Sequence, residues 1–373
     1  MPRESGVSST LRPLDSITGV SDYWIARSSR AMTGEVLARV MADDRPNPSG
    51  EDALIARYFK PLATDPGAFG LMDDAAALDA RGEDVVVTTD AVVEGVHYFA
   101  DDPPDSIARK ALRVNLSDLA AKGATPAGFV LTLALRGAEA SWLTEFARGL
   151  GEDARAFGCP LLGGDTVSTP GPAMISITAF GRAPRGTMVH RSGATPGDHI
   201  MVTGTIGDAT LGLDILKGGA TAAALAGDSA AQNYLIDRYR IPQPRNALAL
   251  VVRGHASATM DVSDGLAGDL AKLCAASGVS AVIDAPRIPI SDAAAAVLTH
   301  GAAGIARLVS GGDDYEILCA VPEARVARFS EETRLAGVAL SAIGRVIAGT
   351  GLPRFLDADG AEIALERLSY SHF

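Results

Sequence analysis

Cysteine is scarce in this chain, and the pattern of the few present excludes a disulfide framework or a cysteine-based metal site. The 373 residues include three cysteines, Cys159, Cys274 and Cys319, each within an apolar stretch. Their number is odd, and their spacing matches no metal-binding pattern. We therefore expect small buried thiols in a reducing compartment.

Long apolar runs, a secretory signal and a basic surface are also missing. No stretch reaches the roughly 20 apolar residues that cross a bilayer, and the N-terminus MPRESGVSSTLRPLD has no hydrophobic segment typical of secretion. The formal net charge is −12 and aromatic residues make up only 5% of the chain. Nucleic-acid binding, which needs basic faces and stacking rings, is therefore not indicated. We expect a cytoplasmic protein that binds neither nucleic acid nor membrane.

The chain is long enough for two domains, and apolar runs typical of strands alternate with helical patterns. This alternation predicts an α/β protein with α+β layers. Residues 1–48 are polar and weakly patterned, and we interpret them as an extension that is disordered or outside the native start. A hinge-like segment near 183–195 divides the rest into domains 49–188 and 189–373. Strands are expected to end at acidic corners such as Asp90, and ARLVSGG (306–312) is expected to be extended.

Aspartates that follow β-rich runs are the most distinctive feature of the chain. The six candidates are Asp74, Asp90, Asp118, Asp165, Asp261 and Asp264. Taken singly, each is most simply a turn or capping residue. Taken together, they are the ligands that Mg²⁺ shares with waters and substrate phosphates. The pattern predicts a multi-metal phosphate site, in which Thr88 and Thr89 add neutral oxygen donors.

The usual nucleotide-binding signatures are absent. No GxxxxGK[ST] occurs, and TGTIGDATLG (203–212) does not fit GxGxxG, although it either presents backbone N–H groups to an anion or forms a plain turn. Lys110, Lys122 and Arg191 are either phosphate contacts or solvated surface charges. His97 is either a packed or a working histidine. If a nucleotide binds, metal ions rather than a P-loop lysine must neutralise it.

Several motifs resemble, in order and spacing, those of the thiamine-monophosphate kinase family. They are LIARYF, DDAAAL, TTDAVVEGVHY, KALRVNLSDLAAKGATP, LLGGDT, RSGATPGD, VTGTIGD, DVSDGL and SGGDDYE. That family belongs to the superfamily of aminoimidazole ribonucleotide synthetase and selenophosphate synthetase. The resemblance covers about residues 50–373.

The resemblance implies a two-domain, aminoimidazole ribonucleotide synthetase-like α/β fold, whose N-terminal sheet forms a barrel with that of a homodimer partner. It implies transfer of a phosphoryl group from ATP to thiamine monophosphate, the last step of thiamine diphosphate biosynthesis, directly and in line with no covalent nucleophile. By the family pattern, several Mg²⁺ ions are held by Asp74, Thr88, Thr89, Asp90, Asp118, Asp165, Asp261 and Asp264. ATP is contacted by Gly164, Asp165, Arg191 and Ser263. The thiamine substrate is bordered by His97, Asp313 and Tyr370.

The chain departs from the family pattern at three positions. Met72 replaces a usual glycine, Tyr98 a usual phenylalanine, and Asp313 a usual, longer glutamate. Two other functions are weighed against the kinase. Another superfamily activity is one, although no cysteine precedes Cys159, which argues against selenophosphate synthesis. A non-catalytic Mg²⁺-nucleotide binding protein is the other, and the intact acidic motifs argue against it.

Overall fold

The structure, a computed structural model, describes residues 55–65, 80, 82–137 and 139–370, which belong to one compact unit. The predicted extension, Asp74 and the turn at Met72 lie outside the described residues. The chain enters through one π-helical turn at Ile55–Phe59 and a 3-10 turn at Lys60–Leu62. The predicted domain limits, 49–188 and 189–373, stay a prediction.

The first half of the described chain builds a four-stranded sheet in the order β1-β4-β2-β3. The strands are β1 Asp84–Val93, β2 Thr125–Leu135, β3 Leu161–Ser168 and β4 Met174–Ala183. Helices α1 (Pro104–Ala121) and α2 (Ala140–Ala156) cover one face. Apolar residues three and four apart, such as Leu112, Leu116 and Leu119, are fully buried on α1 and supply the packing that stabilises it.

The other face of this sheet is partly exposed among the described residues. Side chains alternate along β1, so Val86 and Val92 are buried while Val85 and Val87 are exposed. Val167 of β3 is also exposed. The sheet has two free edges, β1 and β3, and does not close into a barrel within the described residues.

The second half builds a six-stranded sheet in the order β10-β7-β9-β5-β8-β6. The strands are β5 His199–Thr203, β6 Ala258–Asp261, β7 Ser280–Asp284, β8 Ile317–Val321, β9 Leu340–Ile347 and β10 Arg354–Leu356. The helices are α3 Asp208–Leu216, α4 Ala220–Ala224, α5 Ser229–Arg240, α6 Ala249–His255, α7 Leu266–Ser277, α8 Asp292–Thr299, α9 Ile305–Val309 and α10 Glu323–Leu335. Two 3-10 turns lie at Asn246–Leu248 and Ala285–Arg287. Within this sheet of the described chain, β7 and β10 pair in parallel and the other neighbours pair antiparallel, so the layers are of the mixed α+β kind.

Two local predictions were wrong. β1 does not end at Asp90 but continues to Val93, because β4 pairs with it over its whole length. The segment expected to be extended at 306–312 contains the short helix α9 instead. Leu308 and Val309 are buried there, and a short apolar run does not distinguish a buried strand from a buried helical turn.

The two halves are joined through α1. The Asn246 side chain donates to the Leu116 carbonyl at 2.9 Å, and the Lys122 ammonium donates to the Thr259 carbonyl at 2.8 Å. Apolar residues at the end of α1 pack with α6 and α10 in a shared cluster. This junction places the C-terminal half of α1 beside β6, where the acidic motifs of both halves meet.

The three cysteines are buried and unpaired, as expected. Burial raises the pKa of Cys159 and Cys319 to about 12 and that of Cys274 to about 11. Their thiols therefore stay protonated at neutral pH, which fits small apolar residues.

Candidate active site

A cleft of about 360 Å³ lies between the two halves of the described chain. Nine of the predicted site residues line it: Asp90, His97, Asp118, Arg191, Asp261, Ser263, Asp264, Asp313 and Tyr370. They come from β1, the loop after it, α1, the loop before β5, the end of β6 and three later loops. The fold thus collects in one place motifs that are up to 280 residues apart in the chain.

Three carboxylates form the acidic floor of the cleft. Asp90 lies on β1, Asp118 on α1 and Asp261 at the end of β6. Burial, reinforced by Asp118 and then Asp264, raises the pKa of Asp90 to about 6. Burial, reinforced by Asp118, also raises the pKa of Asp261 well above its usual value. The mutual repulsion of these carboxylates therefore destabilises the folded protein in the absence of a cation. A bound cation relieves this repulsion.

The donor set fits divalent ions that are shared with phosphate groups. Within the described residues, no three Asp, Glu, His or Cys side chains lie close enough to hold one ion by themselves. Mg²⁺ commonly takes only one or two protein carboxylates and completes its shell with water and phosphate oxygens. Thr88 provides a further oxygen, since its hydroxyl donates to Asp118 Oδ2 at 2.5 Å. The acidic floor therefore suits ions that arrive with a phosphorylated ligand.

The turn that carries Ser263 and Asp264 is held by two residues that the sequence interpretation missed. Asp269 accepts from the backbone N–H groups of Ser263 and Asp264 at 3.0 and 2.9 Å. The Lys272 ammonium donates to Asp264 at 2.5 Å and to Asp269 at 2.9 Å. Lys272 lies three residues after Asp269 on α7, so helical spacing could have indicated this pair. Asp264 thus pairs with a lysine of the protein itself.

The adjacent acids of SGGDDYE point in opposite directions. Asp313 faces the cleft, where its Oδ2 accepts from the Lys110 ammonium at 2.9 Å. Asp314 is buried and accepts from the backbone N–H groups of Gly207 and Ala209 at the start of α3. The two carboxylates therefore have separate partners, which removes the apparent conflict of neighbouring like charges.

The backbone of this loop is unusual. Asp313 and Tyr315 have φ values of +70° and +51°, a region that residues other than glycine seldom adopt. A Cβ on Gly312 would lie 2.5 Å from the Ser263 carbonyl, so only glycine allows this close approach. The Asp313 N–H donates to the same carbonyl at 2.8 Å. The loop is thus pressed against the Ser263 turn and orients Asp313 into the cleft.

The interpretation of Lys110 and Lys122 as solvated surface charges was wrong. Lys110 is only 2% exposed, and the Lys122 ammonium is bonded to Thr259 at the junction of the two halves. Burial lowers the pKa of Lys122, as does the neighbouring Arg191. Lys110 is therefore part of the cleft lining, and Lys122 is part of the junction between the two halves.

Four predicted residues lie on strands outside the cleft lining, Thr88 of β1 among them. Thr89 is on the exposed face of β1, where its hydroxyl accepts from Thr178 at 2.9 Å. Gly164 and Asp165 are on β3, and Asp165 is exposed. Three strand spacings separate β1 from β3, about 14 Å. Thr89 and Asp165 of one chain are therefore too far apart to share an ion.

Comparison with known proteins assigns the family. Residues 72–183 match the family described as AIR synthase related protein, N-terminal domain, and residues 195–356 match its C-terminal domain. The thiamine-monophosphate kinase of Caulobacter vibrioides is 44% identical over 331 residues, which cover 87% of this chain and 91% of the relative. That of Escherichia coli strain K12 is 37% identical over 327 residues, 87% and 98% of the two chains.

Comparison with solved structures finds the same kind of relative. Thiamine-monophosphate kinase from Stenotrophomonas maltophilia K279a matches with a TM-score of 0.73 and 37% identity, over 84% of this chain and 96% of that one. AaThiL complexed with AMPPCP and TMP matches with a TM-score of 0.67 and 28% identity, over 82% and 97%. These findings confirm the predicted two-domain α/β fold and the resemblance. The chain belongs to the thiamine-monophosphate kinase family of AIR synthase-related proteins.

Proposed function

We propose that this protein transfers the γ-phosphoryl group of ATP to thiamine monophosphate and releases thiamine diphosphate and ADP. A phosphate oxygen of thiamine monophosphate bonds to the γ-phosphorus as the bond to the β,γ-bridging oxygen breaks, in line and without a phosphoenzyme. The observation that carries the proposal is the cleft in which acids of both halves converge, in a chain of this family. Phosphoryl transfer needs mainly positioning and charge neutralisation, which such a cleft supplies.

The acidic floor has the central role in this reaction. Asp90, Asp118, Asp261 and Asp264 would hold several Mg²⁺ ions, whose charge offsets the repulsion between two polyanions. The acceptor is itself a phosphate, so more carboxylates are required than for a hydroxyl acceptor. Asp74, outside the described residues, is proposed for the same set.

We assign different residues of the cleft lining to the two substrates. Arg191 and Ser263 line the cleft, and we assign them to ATP. His97, Asp313 and Tyr370 also line it, and we assign them to the thiamine substrate. The Arg191 guanidinium suits forked contacts with phosphate oxygens.

A homodimer completes the proposed site. The free edges of β1 and β3, together with exposed Val85, Val87 and Val167, favour closure of the sheet by a second copy. If β1 of one copy lies beside β3 of the other, Thr89 and Asp90 approach Gly164 and Asp165 of the second subunit. The two residues of β3 then serve the metal and ATP site in trans.

Complementation between inactive variants tests this arrangement. Asp90→Asn and Asp165→Asn homodimers should both be inactive, while a purified heterodimer of the two contains one intact site and regains activity. If Asp165 serves its own chain, both sites of the heterodimer stay damaged. A heterodimer without activity, or a monomeric active enzyme, would refute sharing.

A product assay tests the activity itself. Purified protein with ATP and Mg²⁺ should convert thiamine monophosphate to thiamine diphosphate, but not act on unphosphorylated thiamine or on aminoimidazole precursors. ATP binding without release of ADP would favour the non-catalytic nucleotide-binding alternative.

The described part of the chain contains no helix with the length and apolar character of a membrane span. A cytoplasmic location stays a prediction.

A further inference from the structure

We propose that Lys110 is a positioning residue for the part of the cleft lining that is assigned to thiamine monophosphate. It holds the His97 loop and the Asp313 loop at a set distance and acts through them, without contacting a phosphate group itself. This inference rests on the proposed function, since it concerns the same site.

The contacts of the Lys110 ammonium use all of its donors. Nζ lies 2.9 Å from the His97 carbonyl oxygen and 2.9 Å from Asp313 Oδ2. It also lies 3.7 Å from the centroid of the Tyr239 ring. An ammonium has three N–H groups, and the face of an aromatic ring attracts the third. With the side chain 2% exposed, no donor remains for a substrate phosphate.

The partners of Lys110 come from separate segments of both halves of the chain. Lys110 is on α1, His97 follows β1, Tyr239 is on α5 and Asp313 precedes β8. The Tyr239 hydroxyl donates to the same His97 carbonyl at 2.9 Å. The ammonium is therefore a cross-link between the two walls of the cleft that carry His97 and Asp313.

The ammonium also pairs with the carboxylate of Asp313, a residue with an unusual backbone conformation. This residue has a left-handed φ of +70°, a conformation that persists only where neighbouring groups hold it. Its Oδ2 is bonded to Lys110, and its Oδ1 accepts from the Tyr315 hydroxyl at 3.3 Å. The paired carboxylate repels an incoming phosphate ester less than an unpaired one would. Lys110 thus supports substrate binding through Asp313.

Substitution with methionine, which keeps the length and removes the charge, tests the role. Lys110→Met should weaken binding of thiamine monophosphate about tenfold or more, the effect of losing a charged hydrogen bond. Binding of AMP-PNP with Mg²⁺ should stay unchanged, because the contacts of the Lys110 ammonium are with His97, Asp313 and Tyr239, none of which is assigned to the nucleotide. Calorimetric titration of both ligands and circular dichroism of the fold are the measurements. Lys217→Met, at an exposed lysine outside the cleft lining, is the control.

A double-mutant cycle separates action through Asp313 from independent action. In an Asp313→Asn background, Lys110→Met should have a clearly smaller further effect, because the ion pair is already lost and only the contact with the His97 loop remains. The proposal is overturned if the full loss persists in that background. It is also overturned if thiamine monophosphate binding is unaffected, or if a folded variant loses both ligands equally.

A measurement on the unmodified protein covers the case in which Lys110→Met does not fold. The chain has five lysines, so ¹⁵N-lysine spectra are simple. The Lys110 ammonium should give a solvent-protected signal that stays protected, without coupling to phosphorus, when thiamine monophosphate binds. A phosphorus coupling on Nζ would overturn the proposal. Wild-type protein that binds no thiamine monophosphate would overturn the proposed function and this inference with it.

Discussion

Replacement of Asp90 by asparagine should stabilise the ligand-free protein while removing its function. The pKa of Asp90 rises from 3.8 to about 6 in the folded protein, first through burial and then through Asp118 and Asp264. The folded state therefore binds this proton more tightly than the unfolded state does. Folding stability consequently falls as pH rises from about 4 to about 6, and the loss persists above that range. A neutral amide of similar shape avoids the loss.

The expected size follows from the displacement of the pKa. At about 1.4 kcal/mol per pH unit, the full displacement of Asp90 corresponds to about 3 kcal/mol. Asp90 keeps solvent-exposed surface, so screening reduces the gain to about 1 kcal/mol. For a chain of this length, that gain raises Tm by about 1 to 3 °C.

Thermal unfolding in EDTA at pH 8 and pH 4 is the assay. Asp90→Asn should exceed wild type in Tm at pH 8, and the difference should vanish at pH 4, where Asp90 is already protonated. With Mg²⁺ and AMP-PNP the order should reverse, because the variant lacks a ligand for the ion. Asp101→Asn, at an exposed position outside the cleft lining, should match wild type throughout. A variant no more stable than wild type at pH 8 would refute the like-charge argument.

Three further outcomes are expected. Glu316 is fully buried and accepts hydrogen bonds from Arg238, Arg245 and Thr203. Glu316→Gln should therefore lower the free energy of unfolding, measured in urea, by about 3 kcal/mol or more. The same substitution at the exposed Glu331 should leave it unchanged. A Cβ on Gly164 would lie 1.9 Å from the Leu131 carbonyl oxygen, while one on Gly163 would meet open space. Gly164→Ala should therefore lower Tm clearly more than Gly163→Ala. Equal Tm values would contradict the close approach of β2 and β3. Deletion of residues 1–40 should leave kcat and KM unchanged in the product assay, and a large loss of kcat would assign the extension a role.

Local patterns in the sequence determined much of the fold. Apolar residues three and four apart in KALRVNLSDLAAKGATP are typical of a helix and the apolar run PAGFVLTLAL of a buried strand, and α1 and β2 form there. The same patterns did not distinguish strand from helix at 306–312. The burial of Leu308 and Val309 depends on neighbours that are distant in the chain.

The motifs also determined the family and most of the cleft, while tertiary structure decided what each charge does. The sequence placed Thr88, Thr89 and Asp90 together, yet β-strand alternation sends Thr89 to the open face and Asp90 to the cleft. Lysine is a residue type usually found at the surface. Only the packing of α1 between the two halves makes Lys110 a buried cross-link. Charge type and local periodicity can be read from consecutive residues of the sequence. Burial and the pairing of distant charges arise only when the two halves meet, because both depend on distances that no local pattern encodes.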